Sequence, residues 1–160
     1  MTPVRGDGMV VRGLDAGDLP QLLRFERRYM QTFEPNSLPG WTAALDRNLQ
    51  LWIDCLPTSA VLVGQGEAVL GLALWQLHAP VATLVTIHVS PEQQRRGLGG
   101  TLLDVFVAAA RSAGMGRAAL GVHQDNLGAE SLYLRHGFRR VGVDGDYRLY
   151  EQALEHSGTD

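Results

Sequence analysis

The chain contains no lysine. Its 160 residues carry 14 basic side chains, and all 14 are arginine. Without lysine, the chain cannot form a lysine Schiff base, and it cannot bind phosphate through the lysine of a P-loop. The chain also has 17 acidic residues, so its formal net charge is -3. This balance gives no general reason to bind nucleic acid, so we predict no nucleic-acid partner.

Cysteine is nearly absent, with Cys55 as the single example. One cysteine excludes an internal disulfide framework and a multi-cysteine zinc site. Cys55 lies in the apolar stretch 51–56, which favours a buried, inert thiol over a catalytic nucleophile. The histidines at positions 78, 136 and 156 show no spacing typical of a metal site. We therefore predict that the protein holds no metal.

Long apolar runs are also missing. No run reaches the roughly 18 apolar residues that a membrane-spanning helix needs, and residues 1–8 lack the apolar stretch of a signal peptide. We therefore expect a protein of the reducing cytoplasm that does not bind membranes. A hydrophobic content of 45% is enough to build a core. The length predicts one domain over residues 1–160, with its core at about 9–152.

The spacing of apolar residues predicts a mixture of helices and strands. Helical periodicity covers residues 19–30, 41–56, 97–113 and 126–136. Short apolar or β-branched runs predict strands at 9–14, 60–63, 68–77, 81–89, 118–122, 138–143 and 147–150. The predicted fold class is α/β with a mixed sheet, in the order β-α-α-β-β-β-α-β-α-β-β. Three strands before a helix argue against a purely parallel, doubly wound sheet.

A glycine-rich loop follows the strand 81–89 and opens the next helix, with the sequence Gln94-Arg95-Arg96-Gly97-Leu98-Gly99-Gly100-Thr101. Such a loop leaves backbone N–H groups unpaired at a helix N-terminus, where the helix dipole also favours an anion. Its glycines let a ligand approach the backbone, and its arginines add positive charge. The loop matches neither a P-loop nor a dinucleotide fingerprint. The alternative is a glycine-rich helix start without a ligand.

Two segments of the chain resemble one family. The loop contains Gln94-x-x-Gly97-x-Gly99, and a second segment reads Asn126-x-x-Ala129-x-x-Leu132-Tyr133-x-x-x-Gly137-Phe138. The first is similar to the acetyl-CoA-binding motif of the GNAT superfamily of N-acyltransferases, Gln/Arg-x-x-Gly-x-Gly/Ala. The second is similar to the strand–helix segment that ends the cofactor site of that family. The motifs stand in the family's order, and the predicted element order fits the GNAT fold.

The resemblance implies an enzyme that transfers acetyl from acetyl-CoA to a primary amine by direct attack. It also implies that the backbone of Ile87 and Val89 pairs with the pantetheine arm, and that the amides of residues 95–100 hold the pyrophosphate. The implied cofactor-binding residues are Ile87, His88, Val89, Gln94, Arg95, Arg96, Gly97, Leu98, Gly99, Gly100, Thr101, Asn126, Ala129 and Tyr133.

Tyr133 occupies the position at which many family members place a tyrosine that protonates the departing thiolate. A phenol with an ordinary pKa of about 10 is protonated at neutral pH and can donate that proton. The resemblance therefore implies that Tyr133 is the general acid. The alternative is a tyrosine that only packs its ring in the core.

The base that deprotonates the amine has no familiar position in this sequence. Where family members often place a base, the strand 81–89 offers only threonines and valine, and the following strand carries Gly121. Three candidates are left: His88, His123 and Glu34. His88 lies between Ile87 and Val89 and should face the opposite side of the sheet from them. A water relay without a dedicated side chain is a further alternative.

Glu34 lies in a predicted loop at 34–40, which in this family borders the acceptor. It could bind a cationic substrate as easily as deprotonate one. The sequence leaves the acceptor open between a small-molecule amine and a peptide N-terminus, and residues 31–58 are expected to decide it. The alternative function is a module of the same fold that senses acyl-CoA without turnover, which the missing base favours. Many family members dimerise, so a homodimer is the oligomeric state to test.

Overall fold

The structure, a computed structural model, describes residues 2–3, 8–94 and 96–154. The strands are β1 (Thr2–Pro3), β2 (Val10–Arg12), β3 (Ser59–Val63), β4 (Val69–His78), β5 (Val81–Val89), β6 (Arg117–His123), β7 (Arg139–Asp144) and β8 (Tyr147–Ala153). The helices are α1 (Leu19–Phe33), α2 (Leu38–Ala43), α3 (Leu45–Asp54), α4 (Leu98–Ser112) and α5 (Leu127–Arg135).

The strands form one mixed sheet in the order β1-β2-β3-β4-β5-β6-β8-β7. All neighbours run antiparallel except β5 and β6, which are parallel and joined by the crossover helix α4. The predicted fold class is therefore confirmed. The predicted element order is also found, with one short strand and one helix added.

The region after α1 differs from its prediction. The single helix predicted at 41–56 is wrong, because two helices, α2 and α3, meet at Ala44. The loop predicted at 34–40 is shorter than expected, because Leu38 and the residues after it are helical. Pro39 does not prevent this, since proline is tolerated in the first turn of a helix, where its missing N–H costs nothing. Of residues 1–8, for which no signal peptide is predicted, the structure describes only Thr2, Pro3 and Gly8.

Each face of the sheet carries its own hydrophobic cluster. Helices α4 and α5 pack on one face, where Phe106 and Leu102 are fully buried. Helices α1 and α3 cover the other face, where Leu22 and Trp52 are buried. The strands serve both clusters because successive side chains point to opposite faces. Cys55 is fully buried in the second cluster, as predicted, and burial raises the pKa of its thiol.

The parallel strands β5 and β6 separate after a short contact. Residues 81–83 of β5 pair with 117–119 of β6, and the described residues show no further pairing between these strands. The register between β4 and β5 shifts at Leu74/Trp75, which leaves Val85 as an extra residue in β5. Such a bulge bends a strand and increases its twist. The gap between residues 84–89 of β5 and 120–123 of β6 is called the notch below.

A buried carboxylate anchors the start of α1 to the sheet. Asp18 is only 8% exposed. It accepts hydrogen bonds from Arg12 Nη1 at 2.7 Å, from Arg12 Nη2 at 2.9 Å and from the Asp15 amide at 3.0 Å. The hydrogen bonds from Arg12 hold the pKa of Asp18 below its ordinary value, although burial partly opposes them.

We expect Asp18→Asn to lower the free energy of unfolding by about 1–3 kcal/mol at pH 7, because it weakens hydrogen bonds to a charged group. The folded-state pKa of Asp18 lies below the unfolded value, so this contribution is present above about pH 4 and is lost as the pH falls through the folded pKa. Urea unfolding between pH 2 and pH 7 measures it, with the exposed Asp46→Asn as the matched control. A stability difference that does not shrink in acid would contradict the assignment.

Candidate active site

Two cavities meet at the notch. The larger one, of about 790 Å³, runs from β5 along the start of α4 to α5. The smaller one, of about 310 Å³, lies between α1, α3, β5 and the start of β8. Both cavities are lined by Tyr29, Ile87, His88, Asn126 and Ala129. The splitting of the two strands therefore gives one continuous site with two compartments.

The large cavity contains an uncapped helix N-terminus. Gly97 is the residue before α4 and adopts the left-handed conformation, with φ +77°, which favours glycine. No described side chain caps this helix, and the first intrahelical bond runs from the Thr101 amide to the Gly97 carbonyl at 3.1 Å. The amides of Leu98, Gly99 and Gly100 therefore have no partner within the helix and make an anion site with its dipole.

The glycines after Gly97 keep this N-terminus accessible and close to α5. A Cβ on Gly99 would lie 3.2 Å from Leu132 Cδ2. A Cβ on Gly100 would lie 2.8 Å from His136 Nε2, so the glycine makes room for an imidazole that also contacts Asp104 at 3.1 Å. Gly100 thus has a packing role besides lining the cavity. A side chain at Gly99 would instead occupy space beside Val89 and Leu132, which both line the cavity. This open space and the free amides, called the cradle below, fit a pyrophosphate.

The remaining predicted cofactor residues fall around the same cavity. Ile87, Val89 and Gln94 line it, and Thr101 lies in the first turn of α4. The Asn126 side chain caps α5, accepting from the Ala129 amide at 3.3 Å. Arg95 lies outside the described residues, and Arg96 is exposed and donates to Gln93. Sequence reasoning missed two arginines that line this cavity: Arg28 and Arg135.

The small cavity holds a carboxylate–imidazole pair. His88 Nε2 lies 3.2 Å from Glu26 Oε1 and 2.9 Å from Thr86 Oγ1. The imidazole stacks on Phe25 of α1, so His88 faces away from Ile87 and Val89, as predicted. Both side chains are largely buried, with 10% of His88 and 13% of Glu26 exposed.

Glu26 is ionised in this position. Burial alone would raise its pKa, but the hydrogen bonds from His88 and Thr86 and the charge of His88 outweigh it, and the pKa is lowered. A carboxylate only accepts hydrogen bonds, so His88 Nε2 carries the proton that lies between them. Whenever this imidazole is neutral, its lone pair is therefore on Nδ1, and Glu26 holds the ring in that tautomer.

His123 is placed differently from the other base candidates. It is 8% exposed and lines neither cavity. Its Nδ1 accepts a hydrogen bond from the Asp125 amide at 3.2 Å, which puts the proton of the neutral ring on Nε2. Its ring packs edge-on against Tyr147. The structure therefore gives His123 a packing contact behind the cavity wall and brings only His88 and Glu34 into the site.

Glu34 lines the small cavity and joins two distant parts of the chain. Its Oε1 accepts from the Tyr147 hydroxyl at 2.6 Å, across 113 residues of sequence. Its Oε2 is buried and has no hydrogen-bond partner among the described residues. Burial, together with this contact, raises the pKa of Tyr147, so the phenol is a donor at neutral pH.

Tyr133 lies on α5 and lines the small cavity. It is 5% exposed, and its ring packs against Phe138 and Tyr150 with centroids at 6.2 and 6.4 Å. Burial raises the pKa of its phenol, which therefore keeps its proton throughout the neutral range. The structure thus brings a protonated phenol into the compartment that holds the Glu26–His88 pair.

Glu26 is the functional candidate that sequence reasoning missed. A signal existed, because Glu26 lies four residues from both Leu22 and Met30, and both of these are buried on α1. A carboxylate on the apolar stripe of a helix is rare unless it is paired. Which residue pairs with it could not be predicted, since His88 is 62 positions away.

Two further searches of the described residues give negative results. No group of three or more histidine, cysteine, aspartate or glutamate side chains is arranged to hold a metal ion within the described part of the chain. No helix in that part is long and apolar enough to cross a membrane.

Several curated proteins that are similar to the chain are mycothiol acetyltransferases. A mycothiol acetyltransferase of Geodermatophilus obscurus is 33% identical over 118 residues, covering 68% of this chain and 38% of the relative. A mycothiol acetyltransferase of Rhodococcus erythropolis is 28% identical over 165 residues, covering 85% of this chain and 54% of the relative. The chain thus spans between about a third and a half of the length of these relatives.

Solved structures show the same fold. A PaiA N-acetyltransferase from Thermoplasma acidophilum, in complex with coenzyme A, superposes with a TM-score of 0.79 at 19% identity, covering 92% of this chain and 99% of that chain. The ribosomal-protein-S18-alanine N-acetyltransferase from Escherichia coli superposes with a TM-score of 0.66 at 22% identity, covering 95% and 97%. At these identities the likeness shows the fold alone.

A family model identifies the chain more directly. The model described as the acetyltransferase (GNAT) family matches residues 21–138, which is more than half of the chain. The match includes both motifs on which the resemblance depends, and the family is one of acyltransferases that use acetyl-CoA. The chain therefore belongs to the acetyltransferase (GNAT) family.

Proposed function

We propose that the chain is an N-acetyltransferase that moves an acetyl group from acetyl-CoA to the primary amine of a small molecule. The observation that carries the proposal is the meeting of two compartments at the notch. One holds an uncapped helix N-terminus, and the other holds a buried phenol and a carboxylate–imidazole pair. The name of the curated relatives supports a small-molecule acceptor.

Bound acetyl-CoA supplies an acetyl thioester and a thiolate leaving group. The amides of Leu98, Gly99 and Gly100 bind its pyrophosphate through N–H donors and the helix dipole. The backbone of Ile87 and Val89, which faces the notch, pairs with the amide-containing arm in the manner of an added strand. These contacts direct the thioester from the large cavity toward the small one.

Proton transfers divide between two groups in the small cavity. As the amine nitrogen bonds to the acetyl carbon and the C–S bond breaks, Tyr133 gives its proton to the departing sulfur. His88 Nδ1 takes the proton that the amine loses, and Glu26 stabilises the charged imidazole that results. His88 is the base in this proposal, and Glu26 is a positioning residue.

The activity test measures thiol release from acetyl-CoA with a panel of amines: diaminoalkanes, amino acids, an aminoglycoside and a short peptide. We expect release with at least one small amine and amide formation in equal amount, seen by mass spectrometry. If the protein binds coenzyme A but releases no thiol from acetyl-CoA with any amine, the enzyme proposal is refuted and the sensing module is favoured.

We expect Glu26→Gln to lower kcat about 10- to 100-fold, because the imidazole loses the charge that orients and stabilises it. The Kd for coenzyme A should not change. Residues that act as a unit are non-additive, so Glu26→Gln combined with His88→Ala should cost no more than His88→Ala alone. Thr86→Val removes the neighbouring hydroxyl but leaves the charge of Glu26 in place, and it should lower kcat much less. Additive losses in the double variant would contradict the pairing.

A further inference from the structure

The small cavity combines negative charge with aromatic walls. Two carboxylates line it, Glu26 and Glu34, together with five aromatic side chains: Tyr29, Trp41, Trp52, Tyr133 and Tyr147. Among the described residues that line this cavity, none is an arginine, and His88 is already paired with Glu26. Such surroundings favour a cation, since carboxylates attract it directly and aromatic faces attract it through their quadrupoles.

The two carboxylates differ in how their oxygens are satisfied. Glu26 has its partners in His88 and Thr86. Glu34 has one oxygen bonded to Tyr147 and the other, Oε2, buried without a hydrogen-bond partner among the described residues. The phenol of Tyr29 also lies near Glu34, and burial together with this carboxylate raises the pKa of that phenol. A buried carboxylate oxygen without a donor costs free energy, and a donor on the acceptor would remove that cost. Glu34 is therefore available for substrate in a way that Glu26 is not.

We infer that the preferred acceptor carries a second, protonated nitrogen, and that Glu34 binds it. The inference rests on the proposed function, because the nitrogen to be acetylated is placed by the Glu26–His88 pair and Tyr133. Glu26 lies on α1 and Glu34 directly follows that helix, and both line the same cavity. Two nitrogens separated by a short alkyl chain match this arrangement, which makes a linear diamine the substrate class.

Matched amines test the inference. Diaminoalkanes of three to six carbons are each compared with the monoamine of the same chain length, with thiol release from acetyl-CoA as the readout. We expect the best diamine to exceed its monoamine at least about 10-fold in kcat/KM, as expected for one hydrogen bond between charged groups. Equal kcat/KM values for diamine and monoamine would overturn the inference while leaving the acetyltransferase proposal intact.

The variant Glu34→Gln separates recognition from catalysis. It should lower kcat/KM for the diamine about 10- to 100-fold and change that for the monoamine less than about threefold. The exposed Glu67→Gln is the matched control for loss of a carboxylate and should change neither. An equal loss for both amines would show that Glu34 acts in the chemistry or the fold instead, and would overturn the inference.

Calorimetry gives a readout that does not depend on turnover. The protein is saturated with coenzyme A and titrated with 1,4-diaminobutane. We expect binding that weakens at least about 10-fold in Glu34→Gln. Diamine binding of this kind without thiol release for any amine would refute the proposed function and keep Glu34 as a diamine site. Thiol release together with diamine binding that is no tighter in the parent protein than in Glu34→Gln would keep the proposed function and overturn the inference about Glu34.

Discussion

Replacing Gly99 with glutamate is expected to weaken coenzyme A binding at least about 100-fold. Gly99 lies in the first turn of α4, where its amide has no intrahelical partner and its missing side chain leaves the cradle open. Glutamate would place a carboxylate where a pyrophosphate is to bind, and it would satisfy the helix dipole in place of the ligand. Both steric exclusion and like-charge repulsion act in the same direction.

Two controls make this experiment specific to the helix N-terminus. Gly99→Ala adds only a Cβ at 3.2 Å from Leu132, which the leucine can accommodate by a small shift, so binding should weaken far less. Gly13→Glu makes the same change at an exposed position where a Cβ meets nothing, and should leave binding unchanged. Titration calorimetry with coenzyme A measures all three variants. A Kd for Gly99→Glu within threefold of the parent would refute the pyrophosphate assignment.

Tyr133→Phe is expected to lower kcat by about 10²- to 10⁴-fold, the usual contribution of a general acid. The substitution removes one hydroxyl and keeps the ring that packs on Phe138 and Tyr150, so the fold should be preserved. Because burial raises the pKa of this phenol, Tyr133 stays protonated to a more alkaline pH than an exposed tyrosine would. The Kd for coenzyme A should not change, since the proposed role of the hydroxyl is to protonate the departing sulfur and not to bind coenzyme A.

A neighbouring tyrosine supplies the control for this variant. Tyr150 is also buried and lies beside Tyr133, but it lines neither cavity. Tyr150→Phe removes a hydroxyl from the same aromatic group and should leave kcat within about threefold. Steady-state rates and a thermal unfolding curve for each variant separate lost chemistry from lost packing. Equal losses in the two variants would give Tyr133 a structural role only.

Sequence reasoning predicted those parts of the site that consist of one continuous segment of the chain. The loop from Gln94 to Thr101 and the segment from Asn126 to Phe138 each contain their own turn, cap and helix start, so local rules place them. Much of the lining of the large cavity follows from them, but its wall on α1, which includes Phe25, Arg28 and Tyr29, does not.

The parts that sequence reasoning could not predict depend on contacts between distant residues. Glu26 contacts His88 across the interface of α1 and β5. Glu34 accepts a hydrogen bond from Tyr147, which lies near the other end of the chain. His123 looked as suitable as His88 by position, but a local amide hydrogen bond occupies its Nδ1. No periodicity encodes these pairings, because each depends on how elements pack and not on spacing within one element.

The notch determines which positions of the site should tolerate amino-acid substitution. The proposed contacts along β5 and at the start of α4 are made by backbone N–H and C=O groups, which every residue except proline carries in the same form. Side chains there are needed only to keep the strand extended and the helix start open. Apart from the glycines at the start of α4, these positions are therefore expected to accept other side chains with little loss of ligand affinity. The small cavity is lined by side chains of α1, α3 and β8 among others, and substitutions there are expected to change which acceptor fits. The fold thus separates a cofactor compartment, which depends mainly on backbone groups, from an acceptor compartment, whose specificity depends on its side chains.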